Sequence, residues 1–261
     1  MPELRIKFVY RHGDADNGQL NLYDGAKSLE GIARALTIAV HAFANGEVRT
    51  RADAAHNAEL YIRSPQRGSF VYEAVIFLGG AVVSGVFYDF IKHTFNEAVG
   101  HILDEPQSRA LQARIEPTMG ELPAVLESAL IDVHRPLMRA PEMTLTVTRP
   151  RGEELVTFTN ATGETLQPQE VGVPDPIIGH VTRYNTISRW GRLYDFSERR
   201  VISFLLSPDL TERARSLVTW SLHENNLGRD AKLYMRGTAL VSPMQQRIKR
   251  YQISHVSDQP I

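Results

Sequence analysis

Two spacings of apolar residues organise the N-terminal part of the chain. Every second residue is apolar over Leu4–Tyr10, which predicts a β-strand. Apolar residues three and four positions apart over Leu29–Phe43 predict a helix that opens near Asp24 or Ser28 and ends at Asn45-Gly46. Further strands are predicted over 58–63, 69–77, 143–147 and 154–159, and further helices over 81–99 and 107–138, the second interrupted near Pro117 and Pro123. The mixture predicts an α+β domain.

The C-terminal part keeps the two-residue spacing and has one helical stretch. Strands are predicted over 180–187, 192–196, 201–206, 232–241 and 247–256, with a helix over 210–225. The order β-β-β-α-β-β is typical of a small five-stranded barrel of the OB type. Three prolines between positions 168 and 176 predict a boundary, so the expected domains are 1–167 and 177–261.

An uncharged segment runs from Ala74 to Tyr88 and contains several small residues at spacings of four. Such spacing allows membrane helices to approach each other closely, and the candidate membrane or pore residues are Val82, Ser84, Gly85 and Phe87. The run is short, because a bilayer-spanning helix needs about 20 apolar residues. A buried strand, a Gly-Gly turn and a buried helix are the simpler interpretation. Helices from several subunits that together line a channel are the alternative.

Composition narrows the class of protein. Hydrophobic residues make up 43% and charged residues 23% of the chain, as in ordinary folded domains. The chain has no cysteine, which excludes disulfides, thiol catalysis and thiolate metal sites. The charged N-terminus lacks the apolar core of a secretory signal, so a cytoplasmic location, or one at the inner membrane face, is expected.

Charge is distributed unevenly. Residues 1–170 carry 16 basic and 22 acidic side chains, whereas residues 171–261 carry 13 basic and 8 acidic ones. Guanidinium groups neutralise phosphates and aromatic faces stack on unpaired bases, so an oligonucleotide is the expected partner of the C-terminal domain. A solvated barrel exterior is the alternative. The candidate binding residues are Arg183, Arg189, Trp190, Arg192, Tyr194, Lys232, Tyr234 and Arg236.

The motif Arg11-His12-Gly13 follows the first strand. It resembles the phosphate pocket of the histidine phosphatase family, in which the histidine accepts the phosphoryl group, and Arg67 stands where that family has a second phosphate-binding arginine. However, neither His134 nor His180 precedes a glycine, as the family's second histidine does. The alternative interpretation is a pair of surface residues at a strand end.

Other chemistry is weakly represented. The sequence shows no Walker loop, no Gly-x-Ser-x-Gly motif and no helix with paired metal-binding histidines. We therefore expect no cofactor and no metal site, and the missing catalytic set favours a non-enzymatic protein.

Four blocks of sequence carry a family resemblance: Leu22–Leu36, Gly46–Arg49, Ser64–Phe70 and Leu122–Pro136. Together with the small C-terminal β domain, they resemble a family of bacterial proteins associated with anti-phage loci. Within such loci, the chain also resembles the membrane-acting effector of the Hailong type. This resemblance implies a homo-oligomeric channel-forming effector, and a partner nucleotidyltransferase whose short single-stranded DNA holds it inactive. It assigns no site residues.

Taken with the basic C-terminal strands and the missing catalytic set, this resemblance implies a bacterial anti-phage effector that is homo-oligomeric and non-enzymatic. A short single-stranded oligonucleotide would gate it, and it would act at the membrane as a channel. The two alternatives are a phosphoryl-transfer enzyme that uses His12 with Arg11 and Arg67, and a scaffold subunit of a multi-subunit complex.

Overall fold

The computed structural model describes residues 3–50, 54–63, 70–80, 83–101, 108–167, 169–242 and 247–261. The chain forms two compact units. The first comprises Met1–Thr118 and Leu122–Leu166, and the second comprises Met119–Glu121 and Gln167–Ile261.

A five-stranded antiparallel sheet is the framework of the first unit. Its order is β2-β3-β1-β4-β5. Alternate residues of the central strand β1, from Leu4 to Tyr10, are buried, as the two-residue spacing predicts. The strands are β1 (Glu3–Arg11), β2 (Ala58–Arg63), β3 (Val71–Leu78), β4 (Thr144–Thr148) and β5 (Glu154–Phe158).

The described residues of this part of the chain form six α-helices. The longest, α1 (Leu22–Asn45), ends at Gly46 in the left-handed conformation, as predicted. Its start was predicted wrongly, because the side chain of Asn21 is the N-cap and accepts hydrogen bonds from the backbone N–H of Tyr23 and Asp24. The other helices are α2 (Ser84–Ala98), α3 (Arg109–Ile115), α4 (Glu121–Val133), α5 (Arg135–Arg139) and α6 (Asn160–Thr165).

The uncharged segment contributes to the sheet and to the core of the first unit. Its first part is the inner strand β3, and its second part enters α2, where Phe87 is 0% exposed and lies 5.2 Å from the ring of Phe43. At the start of α2, Ser84 is exposed and Gly85 is half-buried, whereas Val82 lies outside the described residues. Among the helices that the structure describes, none combines the length and apolar character needed to cross a membrane.

A small closed barrel forms the second unit. Strand β7 (Ile177–Tyr184) pairs with β8 (Trp190–Asp195), and β8 pairs with β9 (Arg200–Leu206), which pairs in parallel with β11 (Arg247–Ser257). Strand β10 (Leu233–Ser242) closes the circle by pairing with β11 and β7. Helix α7 (Glu212–Asn226) lies between β9 and β10 in the chain. The protein is thus α+β with a five-stranded barrel in its C-terminal part, an arrangement consistent with an OB-like fold.

The proline-containing segment before the barrel contains a strand of its own. Strand β6 (Gln169–Gly172) pairs with residues 238–241 of β10, on the same edge where β7 pairs with residues 233–235. Strands β6 and β7 therefore act as two halves of one long strand, which Pro174 and Pro176 interrupt, because proline donates no ladder hydrogen bond.

One polar pair is buried inside the barrel. The hydroxyl of Tyr251 donates to Oδ2 of Asp195 at 2.6 Å, and Oδ1 of Asp195 accepts the backbone N–H of Ser197 and of Glu198. Burial, the hydrogen bond and the nearby carboxylate raise the pKa of Tyr251. The pair joins β11 to the turn between β8 and β9.

Candidate nucleic-acid interface

Three predicted binding residues lie on one outward face of β8. Gly191, Leu193 and Asp195 are buried inside the barrel, so alternation turns the remaining residues outward. Those outward residues are Trp190, Arg192 and Tyr194.

A row of basic residues crosses the strands beside them. Arg183 pairs with Arg192 across β7 and β8, Arg192 pairs with Ser203 on β9, and Arg250 of β11 pairs with Ser203 from the other side. A bulge between Val181 and Arg183 sets this register. All three arginines already interact with other groups of the chain, so a phosphate would have to compete for them.

A cluster of three rings lies beside this row. The ring of His180 on β7 stacks on Tyr194 with centroids 5.5 Å apart and an interplanar angle of 14°. The ring of Phe196 meets both, at 5.6 Å from His180 and 6.0 Å from Tyr194. We call His180, Tyr194 and Phe196 the aromatic cluster. Phe196 is 39% exposed, so the cluster offers an open aromatic ring to solvent.

His180 and Phe196 were absent from the predicted binding residues, whereas Tyr194 was among them. His180 on β7 and Tyr194 on β8 are 14 positions apart in the chain. They face each other only because the two strands pair in this register. Partial burial lowers the pKa of His180, and nearby Asp230 opposes the shift. The signal that could have revealed the cluster is the alternation of aromatic residues at Tyr194 and Phe196.

The other predicted residues lie on strand β10 or directly before it, since Lys232 precedes the first strand residue, Leu233. Tyr234 pairs with Ile178 of β7, two residues before His180, so it shares the outward face next to the aromatic cluster. Lys232 and Arg236 follow the same alternation on either side of it, and Arg236 is exposed. The predicted residues thus lie on neighbouring faces of the barrel. Because the barrel wall curves, the outward side chains of β8 and of β10 point in different directions. Strand β7 lies between these two strands.

The beginning of β8 is covered by the second unit itself. A methyl group at Gly120 would come within 2.9 Å of Ser203 Oγ and 3.7 Å of the Trp190 ring, so the segment Met119–Glu121 lies over this end. In the preceding loop, Arg189 adopts φ 63°, and its Nη1 is buried without a hydrogen-bond partner among the described residues. The Tyr194 end of β8 is therefore the more accessible half of the predicted surface.

The phosphatase-like motif lies in the first unit. His12 is exposed, and its backbone N–H donates to Asp16 Oδ1 at 2.8 Å. Its backbone has φ 70° and ψ 158°, a conformation essentially restricted to glycine, which stores strain at this position. Arg11 is also exposed, and Arg67 lies outside the described residues. A phosphoryl-transfer role for His12 stays a prediction.

Two further observations on the described residues bear on catalytic chemistry. His134, one candidate for a second catalytic histidine, is buried, and its ring forms hydrogen bonds with Leu130 and Thr162. Within the part of the chain that the structure describes, no three histidine, aspartate or glutamate side chains are grouped to hold a metal ion.

Comparison with known proteins gives one match. Residues 6–134 are similar to a family described as "Domain of unknown function (DUF7946)", and this stretch is just under half of the chain. The stretch ends before the barrel, so the candidate interface lies outside it. No curated protein and no solved structure matches the chain.

Proposed function

We propose that the protein binds a short single-stranded oligonucleotide on the barrel exterior formed by β10, β7 and the Tyr194 end of β8. The aromatic cluster carries this proposal, because three mutually packed rings with one open edge stand on the outside of a small barrel. The finer assignment of the barrel as OB-like is part of the proposal, since that fold commonly binds oligonucleotides on its strand faces.

Each part of this surface has a distinct role. Every base has an apolar face, so stacking on Phe196 and Tyr194 accepts any sequence but requires an unpaired strand. Tyr234 extends the aromatic surface towards β10. Lys232, directly before β10, and the exposed Arg236 on β10 would attract the phosphates of a strand that crosses from β8. The barrel positions these groups on rigid strands.

Fluorescence anisotropy with a fluorescein-labelled oligothymidine tests this proposal. We expect Phe196→Ala to weaken binding by about 5- to 150-fold, since one stacked base contributes about 1–3 kcal/mol. Trp220→Ala is the matched control, because Trp220 on α7 is 40% exposed, like Phe196 at 39%, and lies outside the proposed surface. Equal affinity of the two variants, or no binding by the wild type at low salt, would refute the proposal.

We further propose that the bound oligonucleotide controls a homo-oligomeric, non-enzymatic effector of bacterial anti-phage defence. The oligonucleotide would come from a partner nucleotidyltransferase. The support is the resemblance of the Leu22–Leu36 and Leu122–Pro136 blocks together with the proposed site. Phage challenge of cells that carry the wild type or Phe196→Ala tests this role, and we expect the two proteins to protect the cells to different extents. Equal protection by the two proteins would contradict it.

Action at the membrane belongs to the same hypothesis. For the segment around Ser84 and Gly85 to line a channel, Phe87 would have to leave the core of the first unit. Release of a dye from anionic lipid vesicles, with and without the oligonucleotide, is the direct test. No release in either state would remove the channel from the proposal and leave oligonucleotide binding intact.

The two alternatives predict different results. Hydrolysis of a generic aryl phosphate that is lost in His12→Ala would favour the phosphoryl-transfer enzyme. A monomer that binds neither DNA nor lipid would favour the scaffold subunit.

A further inference from the structure

Strand β2 is the end strand of the sheet in the first unit. One of its edges pairs with β3, and no described residue pairs with the other. Tyr61 and Ile62, which point to opposite faces of the sheet, are 55% and 54% exposed. With respect to the residues that the structure describes, the strand therefore presents backbone groups without a ladder partner, together with two large apolar side chains. Such an edge is a template for another strand.

The sequence of β2 is complementary to itself in the antiparallel direction. If Tyr61 of one copy lies opposite Tyr61 of another, Glu59 of each copy faces Arg63 of the other, and Leu60 faces Ile62. Opposite charges at directly facing positions stabilise a strand pair, and like charges destabilise it. A pairing centred on Leu60 would instead place Glu59 opposite Tyr61 and leave Arg63 without a facing residue in the strand.

This alignment also suits the two faces of the sheet. Side chains alternate between the two faces of a sheet, and directly opposite residues point to the same face. When Tyr61 lies opposite its own copy, the two sheets therefore turn corresponding faces to the same side. The buried face of each sheet then continues into that of its neighbour. Within one chain, Arg63 binds Glu3 of β1 at 3.1 Å and lies 4.0 Å from Glu73 of β3, and Glu59 accepts the Tyr61 hydroxyl at 2.8 Å. Pairing of two copies would therefore require Arg63 and Glu59 to exchange these partners for each other.

We propose that two copies of the protein pair through β2, antiparallel and centred on Tyr61, which joins two five-stranded sheets into one of ten strands. The interface is isologous, as a two-fold dimer requires. Its strand is only six residues long, so the association is weak and depends on concentration. This proposal uses the first unit alone and does not depend on oligonucleotide binding by the barrel.

Cysteine cross-linking tests both the partner and the register. The natural chain has no cysteine, so Tyr61→Cys introduces a single thiol. Directly opposite residues of an antiparallel pair lie about 4.5–5.5 Å apart at Cα, within the range for a disulfide. Leu60→Cys is the matched control, because its two copies would be about 8 Å apart in the proposed register. We expect mild oxidation to produce a covalent dimer of Tyr61→Cys and little of Leu60→Cys.

A charge reversal tests the complementarity. Glu59→Arg in the Tyr61→Cys protein places like charges opposite each other at both ends of the strand, and we expect it to suppress the cross-link. Glu154→Arg, at the other edge of the sheet on β5, should leave the cross-link unchanged. Equal cross-linking of Tyr61→Cys and Leu60→Cys, or a cross-link unaffected by Glu59→Arg, would overturn the proposed pairing. Circular dichroism checks that each variant is folded.

Discussion

His134 lies in the core of the first unit, where both ring nitrogens are bonded. Nδ1–H donates to the carbonyl of Leu130 at 2.7 Å, and Nε2 accepts the hydroxyl of Thr162 at 2.9 Å. Thr162 in turn completes a capping box with Thr159 at the start of α6. The neutral ring therefore ties α4 to α6. His180 instead stands on the barrel exterior and stacks on Tyr194, so the same residue type has unrelated roles at the two positions.

Burial of His134 gives the protein an acid-sensitive element. Burial lowers its pKa to about 4, from 6.5 in an unfolded chain, with an opposing effect of the Leu130 carbonyl. The unfolded chain thus binds an extra proton between those values, so this contribution to stability is complete above pH 6.5 and is lost as the pH falls towards 4. Between pH 7 and pH 5 we expect a loss of about 2 kcal/mol in the free energy of unfolding.

Urea denaturation at several pH values measures this loss. His134→Gln should flatten the pH dependence, whatever its effect on stability at neutral pH. His255→Gln is the control, because His255 is exposed on β11. An unchanged pH dependence in His134→Gln would show that other groups cause the loss.

At the scale of elements, α1 and α4 approach each other so closely that no side chain fits between them. A methyl group at Gly31 would come within 2.6 Å of the carbonyl oxygen of Ala129 and 2.7 Å of the backbone nitrogen of Val133. Alanine favours a helix over glycine by about 1 kcal/mol, but overpacking against backbone atoms costs more. We expect Gly31→Ala to lower the free energy of unfolding by about 1–3 kcal/mol, as measured by chemical denaturation.

Gly85→Ala is the matched control for this substitution. Gly85 is also in a helix, α2, but a methyl group there would meet no atom within 4 Å. We expect this change to raise the free energy of unfolding by up to about 1 kcal/mol. If Gly31→Ala were as stable as Gly85→Ala, close packing of α1 on α4 would be wrong.

The elements that the sequence predicts well are those with a regular buried face. Strand β1 and the end of α1 follow from apolar spacing and from Gly46. Proline misled the prediction in two places. Pro123 was expected to interrupt a helix, but it lies in the first turn of α4, where no backbone N–H is needed. Pro174 and Pro176 indicated a domain boundary, so β6 was not predicted, and its four residues are all exposed and give no apolar pattern.

At the scale of the whole molecule, the excess of basic residues in the C-terminal part gives oligonucleotide binding a measurable dependence on salt. Lys232, directly before β10, and Arg236 on β10 flank Tyr234 in the chain. If each contacts one phosphate of a single strand, the double variant Lys232→Ala/Arg236→Ala should reduce the slope of log affinity against log salt by about 1.4. Anisotropy titrations over a series of KCl concentrations give this slope.

Arg213→Ala on α7 serves as the control for that experiment, since Arg213 is exposed and belongs to the same unit. It should leave the slope unchanged. The same slope in the double variant and in the wild type would exclude β10 from the binding surface.

The candidate interface could be predicted only in part. Alternation along β8 and β10 indicates which side chains face outward, so Arg192, Tyr194 and Tyr234 were found from the sequence. The covering of Trp190 by Met119–Glu121 and the stacking of His180 on Tyr194 arise from pairings between distant parts of the chain. Local spacing contains no information on such pairings.

The place of β11 in the barrel has a consequence for biosynthesis. Strand β9 ends at residue 206, but its parallel partner is complete only at Ser257. At about 5–20 residues per second, a ribosome needs roughly 3–10 s to make the 51 residues between these positions. During that interval β9 has no parallel partner, and β10 is itself completed only at Ser242, whereas all strands of the first unit have already been synthesised. The second unit therefore keeps an unpaired strand edge for longer during synthesis than the first.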